Sequence, residues 1–313
     1  MRSLVTGGAG FIGSHLCEAL LGRGDEVWCL DNFYLGREEN ICHLRGRERF
    51  HSHNADILNR NELDLVFAAS RPEIVYHLAA NSDISVGNKD RSLDLRLNFL
   101  TTIEVLEAMQ RHGAKQVFFA STSAVFGDNR DLLREETGPL QPVSFYGASK
   151  LSAEAYLSVF AHNFGYRVWI LRFPNVVGER CTHGAVFDFI GRLQKDPSRL
   201  DVLGDGSQMK PYIYVEDLVR AILTVCERAP EQLAVYHVAG EGLTSVREIA
   251  EMVLEEMQLH ETPIIYGGGK IGWVGDVPYF NYDSSKIKAL GFTHRWDSTA
   301  AVRFAVQRIL GKD

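Results

Sequence analysis

Long apolar runs are missing from this sequence, and none approaches the roughly 18 residues that a membrane-spanning helix needs. Residues 1–6 lead into a cluster of glycines and not into the apolar segment of a signal peptide. Basic runs are also missing, because 33 Lys and Arg are interspersed with 40 Asp and Glu for a net charge of −7. We therefore expect a cytoplasmic protein that binds neither membrane nor nucleic acid.

Paired cysteines are absent as well. The five cysteines are odd in number, widely spaced and without any C-x-x-C pair, which favours free thiols and argues against disulfides and zinc. His51 and His53 form an isolated H-x-H, with no cluster of further ligands beside it. We read that pair as part of a polar loop and expect no metal site.

What the 313 residues do contain is an alternation of short β-rich runs and helical patterns. The predicted strands are 3–6, 26–30, 49–54, 74–79, 116–121 and 167–173, and the predicted helices include 13–21, 61–68, 98–111 and 146–164. This order predicts an α/β fold with a doubly wound parallel sheet of the Rossmann type.

After residue 173 the pattern becomes irregular and rich in glycine and proline. We predict a sheet domain over residues 1–174 and a smaller, loop-rich α/β substrate-binding domain over residues 175–313. Residues 212–215 and 235–239 look like further strands, so the segment 212–242 is expected to return to the first sheet. The second domain is then discontinuous.

Three glycines follow the first strand and open the first helix. Gly7 permits a tight turn, Gly10 lets the backbone approach a pyrophosphate, and Gly13 allows close packing of helix on strand. The helix N-terminus adds unpaired N–H groups and the positive end of its dipole. Turns and helix caps use glycine too, but this context favours a dinucleotide.

Asp31 ends the second strand 18 residues after Gly13 and can accept hydrogen bonds from a ribose diol. Its carboxylate would repel a 2′-phosphate, and the nearest downstream base, Arg37, lies well into the loop, so NAD is favoured over NADP. Asp56 and Ile57 follow the third strand, where an adenine contact is expected. Asp56 could equally cap the next helix.

Tyr146 and Lys150 lie four residues apart at the start of a helix, which puts both on one face. An ammonium and an oxidised nicotinamide would lower the pKa of the phenol, so that it can take a proton from a sugar hydroxyl. Thr122 ends the fifth strand, where open α/β sheets bind ligands, and can hydrogen-bond the reacting oxygen. Alone, Y-x-x-x-K is common on ordinary helices.

Together these motifs resemble the extended short-chain dehydrogenase/reductases that act on nucleotide sugars. The resemblance covers nearly the whole chain and implies that Thr122, Tyr146 and Lys150 are the catalytic triad. It implies further NAD contacts from Phe11, Ile12, Asn32, Leu78, Ala79, Ala80, Asn98 and Phe173. Substrate contacts are expected from Asn81, Ser123, Ala124, Asn175, Lys210, Tyr212 and Asp276.

The residues after the catalytic Thr distinguish the reactions of this family. The 4,6-dehydratases and the UDP-glucuronate decarboxylases carry a Glu two positions after it, where this chain has Ala124. The chain thus looks most like the UDP-glucose 4-epimerases, which oxidise C4 transiently and return the hydride to the opposite face. The alternatives are a 4-ketoreductase, a dehydratase or decarboxylase, and a non-catalytic NAD-binding module.

Two residues depart from the epimerase pattern. Trp273 and Lys210 stand where that pattern has arginines, so one phosphate clamp is missing and a point charge replaces a bidentate fork. Lys270 or Arg180 could compensate.

A homodimer is also expected from the resemblance. Ile103, Leu106, Leu157 and Phe160 widen the apolar faces of helices 98–111 and 146–164, as a helix-pair interface would require. Packing against the sheet is the alternative reading of the same residues.

Overall fold

The computed structural model describes residues 1–273 and 275–312. Its strands are β1 (Arg2–Thr6), β2 (Glu26–Asp31), β3 (Phe50–Asn54), β4 (Ile74–His77), β5 (Gln116–Thr122), β6 (Leu132–Leu133), β7 (Arg167–Phe173), β8 (Asn175–Val177), β9 (Leu200–Val202), β10 (Met209–Lys210), β11 (Tyr212–Tyr214), β12 (Leu233–His237), β13 (Thr244–Ser245), β14 (Ile264–Tyr266) and β15 (Asn281–Tyr282). The α-helices are α1 (Phe11–Gly22), α2 (Arg60–Ser70), α3 (Ile84–Lys89), α4 (Arg91–Asp94), α5 (Thr101–His112), α6 (Phe145–Phe164), α7 (Ala185–Lys195), α8 (Val215–Arg228), α9 (Val246–Glu256), α10 (Ser285–Ala289) and α11 (Ser298–Ile309).

Seven parallel strands form the main sheet in the order β12-β7-β5-β4-β1-β2-β3. The strand order reverses between β1 and β4, which opens a crevice at the carboxyl ends of these strands. The predicted doubly wound Rossmann-type sheet is therefore confirmed.

Helices cover both faces of this sheet. Side chains such as Leu16 of α1 and Ile222 of α8 pack on one face. On the other face, Leu106, Leu157 and Phe160 of α5 and α6 are buried against the strands. These three residues therefore pack on the sheet and do not form the exposed dimer surface suggested by their pattern.

A further core lies beyond the main sheet, where α7, α9 and α11 pack together through residues such as Phe189, Val253 and Val302. Of the two strands expected to return, β12 joins the main sheet beside β7, whereas β11 pairs with β8 in a separate two-stranded sheet. The expectation that 212–215 re-enters the first sheet is thus wrong. The domain division at residues 174 and 175 stays a prediction.

Two predicted elements end differently in the structure. The strand predicted to reach residue 79 stops at His77, because the next two N–H groups, of Leu78 and Ala79, donate to the carbonyl and hydroxyl of Thr6. The helix predicted over 98–111 begins as a π-helical turn, Leu95–Leu100, which runs directly into α5.

His51 and His53 lie on strand β3 and not in a loop, and both rings stack on the indole of Trp28. Within residues 1–273 and 275–312, no group of three His, Cys, Asp or Glu side chains could hold a metal ion. All five cysteines are free. No helix in the described part of the chain is long and apolar enough to cross a membrane.

Candidate active site

The glycine loop lies at the switch point of the sheet. Gly7 has a φ of +68°, a conformation that favours glycine, and a Cβ at Gly13 would overlap the carbonyl oxygen of Gly7. Gly10 is the N-cap of α1, and no side chain caps that helix. The first N–H groups of α1 are thus left for a ligand, as a pyrophosphate would require.

A buried, neutral histidine joins β4 to β1 and to α5 at the crevice of the sheet. His77 lies with Nδ1 2.7 Å from the hydroxyl of Thr6 and Nε2 3.1 Å from that of Thr102. Burial lowers the pKa of His77 to about 3, so the ring is uncharged at neutral pH. It therefore acts as a hydrogen-bonding link under the glycine loop.

Asp31 is buried at the end of β2. Its carboxylate accepts hydrogen bonds from the N–H groups of Ala9, at 3.0 Å, and Phe33, at 2.8 Å. Burial raises the pKa of Asp31, and these two hydrogen bonds offset the increase only in part. Since an ionised carboxylate has about four acceptor sites, two remain for a ribose diol.

One cavity of about 790 Å³ joins the glycine loop to the second core. Every predicted cofactor-binding, catalytic and substrate-binding residue lines it, except Asn81 and Asn98. The uncapped helix, the glycines and the Asp31 carboxylate form a donor and acceptor set that fits NAD. The rest of the cavity has room for a second ligand beside it.

Tyr146 faces this cavity from the first turn of α6, where Ser144 caps the helix. Burial raises the pKa of Tyr146 to about 12, although a hydrogen bond from Thr122 lowers it. The expected lowering below the usual value is therefore not supplied by the protein's own groups. Additional positive charge is needed to make this phenol a base.

Lys150 lies one turn further along α6 and is almost fully buried. Its ammonium donates to the carbonyl oxygen of Ala120, at 2.9 Å, and lies 4.7 Å from the centre of the Phe119 ring. Burial lowers the pKa of Lys150 to about 7, and the carboxylates of Glu154 and Asp94 oppose that effect.

A buried ion pair supports the helix behind the triad. The guanidinium of Arg172 donates to both carboxylate oxygens of Glu154, at 3.0 and 2.6 Å, and Ser121 donates to the same carboxylate. Glu154 lies one turn after Lys150, on the same face of α6. Arg172 opens the motif 172–175 that contributes to the family resemblance. Glu154 was not predicted from the sequence, although its spacing from Lys150 was a usable signal.

Ser123 and Ala124 form a short 3-10 turn directly after β5. The N–H of Ala124 donates to the Thr122 hydroxyl at 3.1 Å, and Ala124 lines the cavity. A side chain at Gly147 would overlap the carbonyl oxygen of Ala124, so α6 and this turn pack backbone to backbone. At the position of Ala124 the turn thus presents a methyl group, and no acid or base, to the cavity.

The residues that replace the expected arginines lie together at the far end of the cavity. Lys210 and Asp276 form an ion pair at 2.6 Å in which both side chains are largely buried. The Trp273 ring lies over the Lys210 ammonium, 5.5 Å from ring centre to Nζ. Val274, between Trp273 and Asp276, lies outside the described residues.

Neither suggested substitute for those arginines lines the cavity. Arg180 instead donates to Ser14 and to Glu18 on α1. Arg192 of α7 does line the cavity, while one of its N–H groups donates to the carbonyl oxygen of Asp201. Sequence reasoning missed Arg192, whose position on α7 gives no local motif.

Asn81 and Asn98 lie behind the cavity wall. Asn98 accepts from the N–H of Asn81 at 2.7 Å, and both side-chain amides donate to the carboxylate of Asp94. Direct contacts of these asparagines with cofactor or substrate stay predictions. Asp94, which the sequence analysis did not single out, is the centre of this buried network.

Comparison with known families gives a match over most of the chain. Residues 3–239 match the model of the NAD dependent epimerase/dehydratase family. A putative UDP-glucose 4-epimerase of Methanocaldococcus jannaschii is 30% identical over 98% of this chain and 96% of its own length. UDP-glucuronic acid decarboxylase 1 of Arabidopsis thaliana is 33% identical over 82% of this chain and 58% of its own length.

Solved structures show the same architecture. The UDP-glucuronic acid 4-epimerase of Bacillus cereus, in complex with UDP-glucuronic acid and NAD, superimposes with a TM-score of 0.90. It is 28% identical and aligns over 99% of both chains.

Proposed function

The chain belongs to the NAD dependent epimerase/dehydratase family, with NAD as cofactor, and we propose that within this family it is a UDP-sugar 4-epimerase. The observation that carries the proposal is the pairing of Thr122, Tyr146 and Lys150 with Ala124 in one cavity. The first three can position a sugar hydroxyl and exchange its proton, while a bound NAD would take up and return the hydride. The fourth offers no acid or base for elimination.

Tyr146 would take the proton from the sugar O4, while the Thr122 hydroxyl fixes the position of that oxygen. When bound, NAD would accept the hydride from C4 and return it to the opposite face of the 4-keto sugar. Tyr146 then gives the proton back to O4. No net oxidation or reduction occurs, and the sugar differs from the substrate only at C4.

The charge of Lys150 completes the base. Because burial holds the pKa of Tyr146 at about 12, the phenol ionises near neutral pH only when positive charge collects beside it. Lys150, whose pKa is about 7, would supply part of that charge when it is protonated, and a bound oxidised nicotinamide would supply the rest. This requirement couples proton transfer to the presence of oxidised cofactor.

Lys210 and Asn175 are proposed to hold the substrate beyond the sugar. Both line the cavity, and the Asn175 side chain is hydrogen-bonded to the phenol of Tyr212 on the adjacent strand. The Lys210 ammonium would act as a point charge on the diphosphate, shared with Asp276. The relatives named for UDP-sugars support UDP as the nucleotide to test first.

The test is to incubate the purified protein with UDP-glucose, UDP-galactose, their N-acetyl forms and UDP-glucuronate, and to read products by proton NMR. We expect the 4-epimer of at least one substrate, with no net consumption of added NADH. Tyr146→Phe should lower kcat by about 10²–10⁴-fold, while Tyr156→Phe, on the exposed side of α6, should not.

A decarboxylated or dehydrated product would contradict the proposal and support the other activities of the family. Stoichiometric consumption of NADH would instead indicate a ketoreductase. Bound NAD with no turnover of any sugar nucleotide would favour a binding module.

A further inference from the structure

Asp94, at the end of α4, has a buried carboxylate whose two oxygens differ in their hydrogen bonding. Oδ1 accepts from the side-chain amides of Asn81, at 2.8 Å, and Asn98, at 3.1 Å. Oδ2 is also buried, yet it has no hydrogen-bond partner among the described residues. A buried acceptor without a partner costs free energy, so its presence in the fold requires an explanation.

Packing leaves no room for a second side chain at Oδ2. A Cβ at Gly87 of α3 would overlap this oxygen, so the bare backbone of α3 closes over the carboxylate. Only 1% of Asp94 is exposed. The charge of Asp94 is therefore poorly screened by solvent.

The hydrogen bonds of Asp94 lead to the catalytic helix. The Asn98 amide that donates to Asp94 also donates to the hydroxyl of Ser149, at 3.1 Å. Ser149 directly precedes Lys150 on α6. The carboxylate is thus held in a fixed position relative to the triad.

The buried charges around the triad indicate which group the Asp94 carboxylate acts on. Around the triad, the buried charged side chains are Lys150, Arg172, Glu154 and Asp94. Glu154 is already neutralised by its bidentate pair with Arg172. Asp94 receives only amides, so no cation that the structure describes neutralises it by direct contact, and its charge adds to that of Glu154 in stabilising the ammonium of Lys150.

Burial raises the pKa of Asp94, and the amides of Asn81 and Asn98 and then the charge of Lys150 on α6 oppose that increase. Asp83, before α3, acts in the same direction as burial. The charge of Asp94 in turn raises the pKa of both Lys150 and Tyr146.

We propose that Asp94 is a positioning residue of the reaction: its buried charge is the counter-charge of Lys150 and sets the pH range in which Tyr146 exchanges its proton. The inference rests on the proposed function for its meaning in catalysis. Its effect on the two side chains can be measured without a substrate.

The sign of the effect follows from linkage. Removal of a nearby negative charge makes it easier to lose each proton, so both apparent pKa values of the Tyr146–Lys150 pair fall. The two limbs of a pH profile of activity follow the two macroscopic ionisations of this coupled pair. Both limbs of a kcat profile should therefore move to lower pH.

The test is Asp94→Asn in the NAD-loaded protein. Asparagine keeps the shape and the acceptor oxygen for Asn81 and Asn98 but removes the charge. Ionisation of Tyr146 is followed by ultraviolet absorbance against pH, with the matching Tyr146→Phe protein subtracted. We expect the midpoint to fall by about one pH unit, the kcat profile to shift with it, and the melting temperature to be unchanged or higher.

Asp90→Asn is the matched control, because Asp90 is the exposed N-cap of the same helix. It should not move the Tyr146 midpoint. An unchanged midpoint in Asp94→Asn would overturn the proposal, whatever happens to the rate. A wild-type protein that makes no epimer would contradict the proposed function alone, because the absorbance titration still reports whether Asp94 acts on Tyr146.

Discussion

The guanidinium of Arg172 and the carboxylate of Glu154 form a bidentate ion pair, and only 6% and 7% of their side chains are exposed. Charges so far from water depend on each other, because neither can be solvated if its partner is lost. The pair joins β7 to α6 directly behind Lys150.

Arg172→Met should therefore lower the free energy of unfolding by about 3–5 kcal/mol, because Glu154 is left as an uncompensated buried charge. Urea denaturation measures this. The double variant Arg172→Met/Glu154→Leu should recover most of the loss. Arg134→Met removes an ion pair to Asp283 whose arginine side chain is 58% exposed, and it should cost no more than about 1 kcal/mol. A double variant as unstable as the single one would rule out the charge explanation.

Gly13→Ala should abolish tight binding of NAD. A methyl group there would overlap the carbonyl oxygen of Gly7, so either the loop or α1 must move. Gly22→Ala is the control in the same helix, since nothing lies within 4 Å of a Cβ at that position. Calorimetric titration should show at least a tenfold weaker affinity for NAD in Gly13→Ala, which corresponds to about 1.4 kcal/mol. The affinity of Gly22→Ala for NAD should equal that of the wild type. Equal affinities would show that the loop tolerates a side chain.

Asp31→Asn should reduce the preference for NAD over NADP. The carboxylate accepts two backbone N–H groups and keeps acceptor sites for a ribose diol, whereas its charge repels a 2′-phosphate. The dissociation constant for NAD should rise and that for NADP should not. Asp64→Asn, an exposed carboxylate on α2, should change neither constant. An unaltered ratio would remove Asp31 from the selectivity of the cofactor site.

We propose a homodimer built on the outer side of α6. Tyr156 and Val159 are each 48% exposed there, and Leu100, the residue before α5, is also exposed. Val159→Lys should shift light scattering from dimer to monomer, because it places a charge in an apolar contact. Leu65→Lys, on α2, should leave the dimer intact. A wild-type monomer at micromolar concentration would contradict the proposal.

The sequence was sufficient for features that depend on neighbouring residues. The spacing of Gly7, Gly10 and Gly13 and the four-residue interval from Tyr146 to Lys150 are local, and these five residues line the same cavity.

Contacts between distant segments could not be predicted in the same way. The pairing of β11 with β8, the ion pair of Lys210 with Asp276, and the network around Asp94 all join residues far apart in the chain. Helix periodicity also could not distinguish a sheet-facing Leu157 from a dimer contact, because both burials require the same apolar pattern.

The central claim is that a hydride leaves C4 and returns to it, and that no proton is removed from C5. The most direct measurement is to run the reaction in D₂O on the UDP-sugar that the protein accepts, and to examine the product by proton NMR and mass spectrometry. We expect the 4-epimer with hydrogen retained at C4 and C5 and no deuterium at either carbon. Deuterium at C5, or loss of water or carbon dioxide, would contradict it.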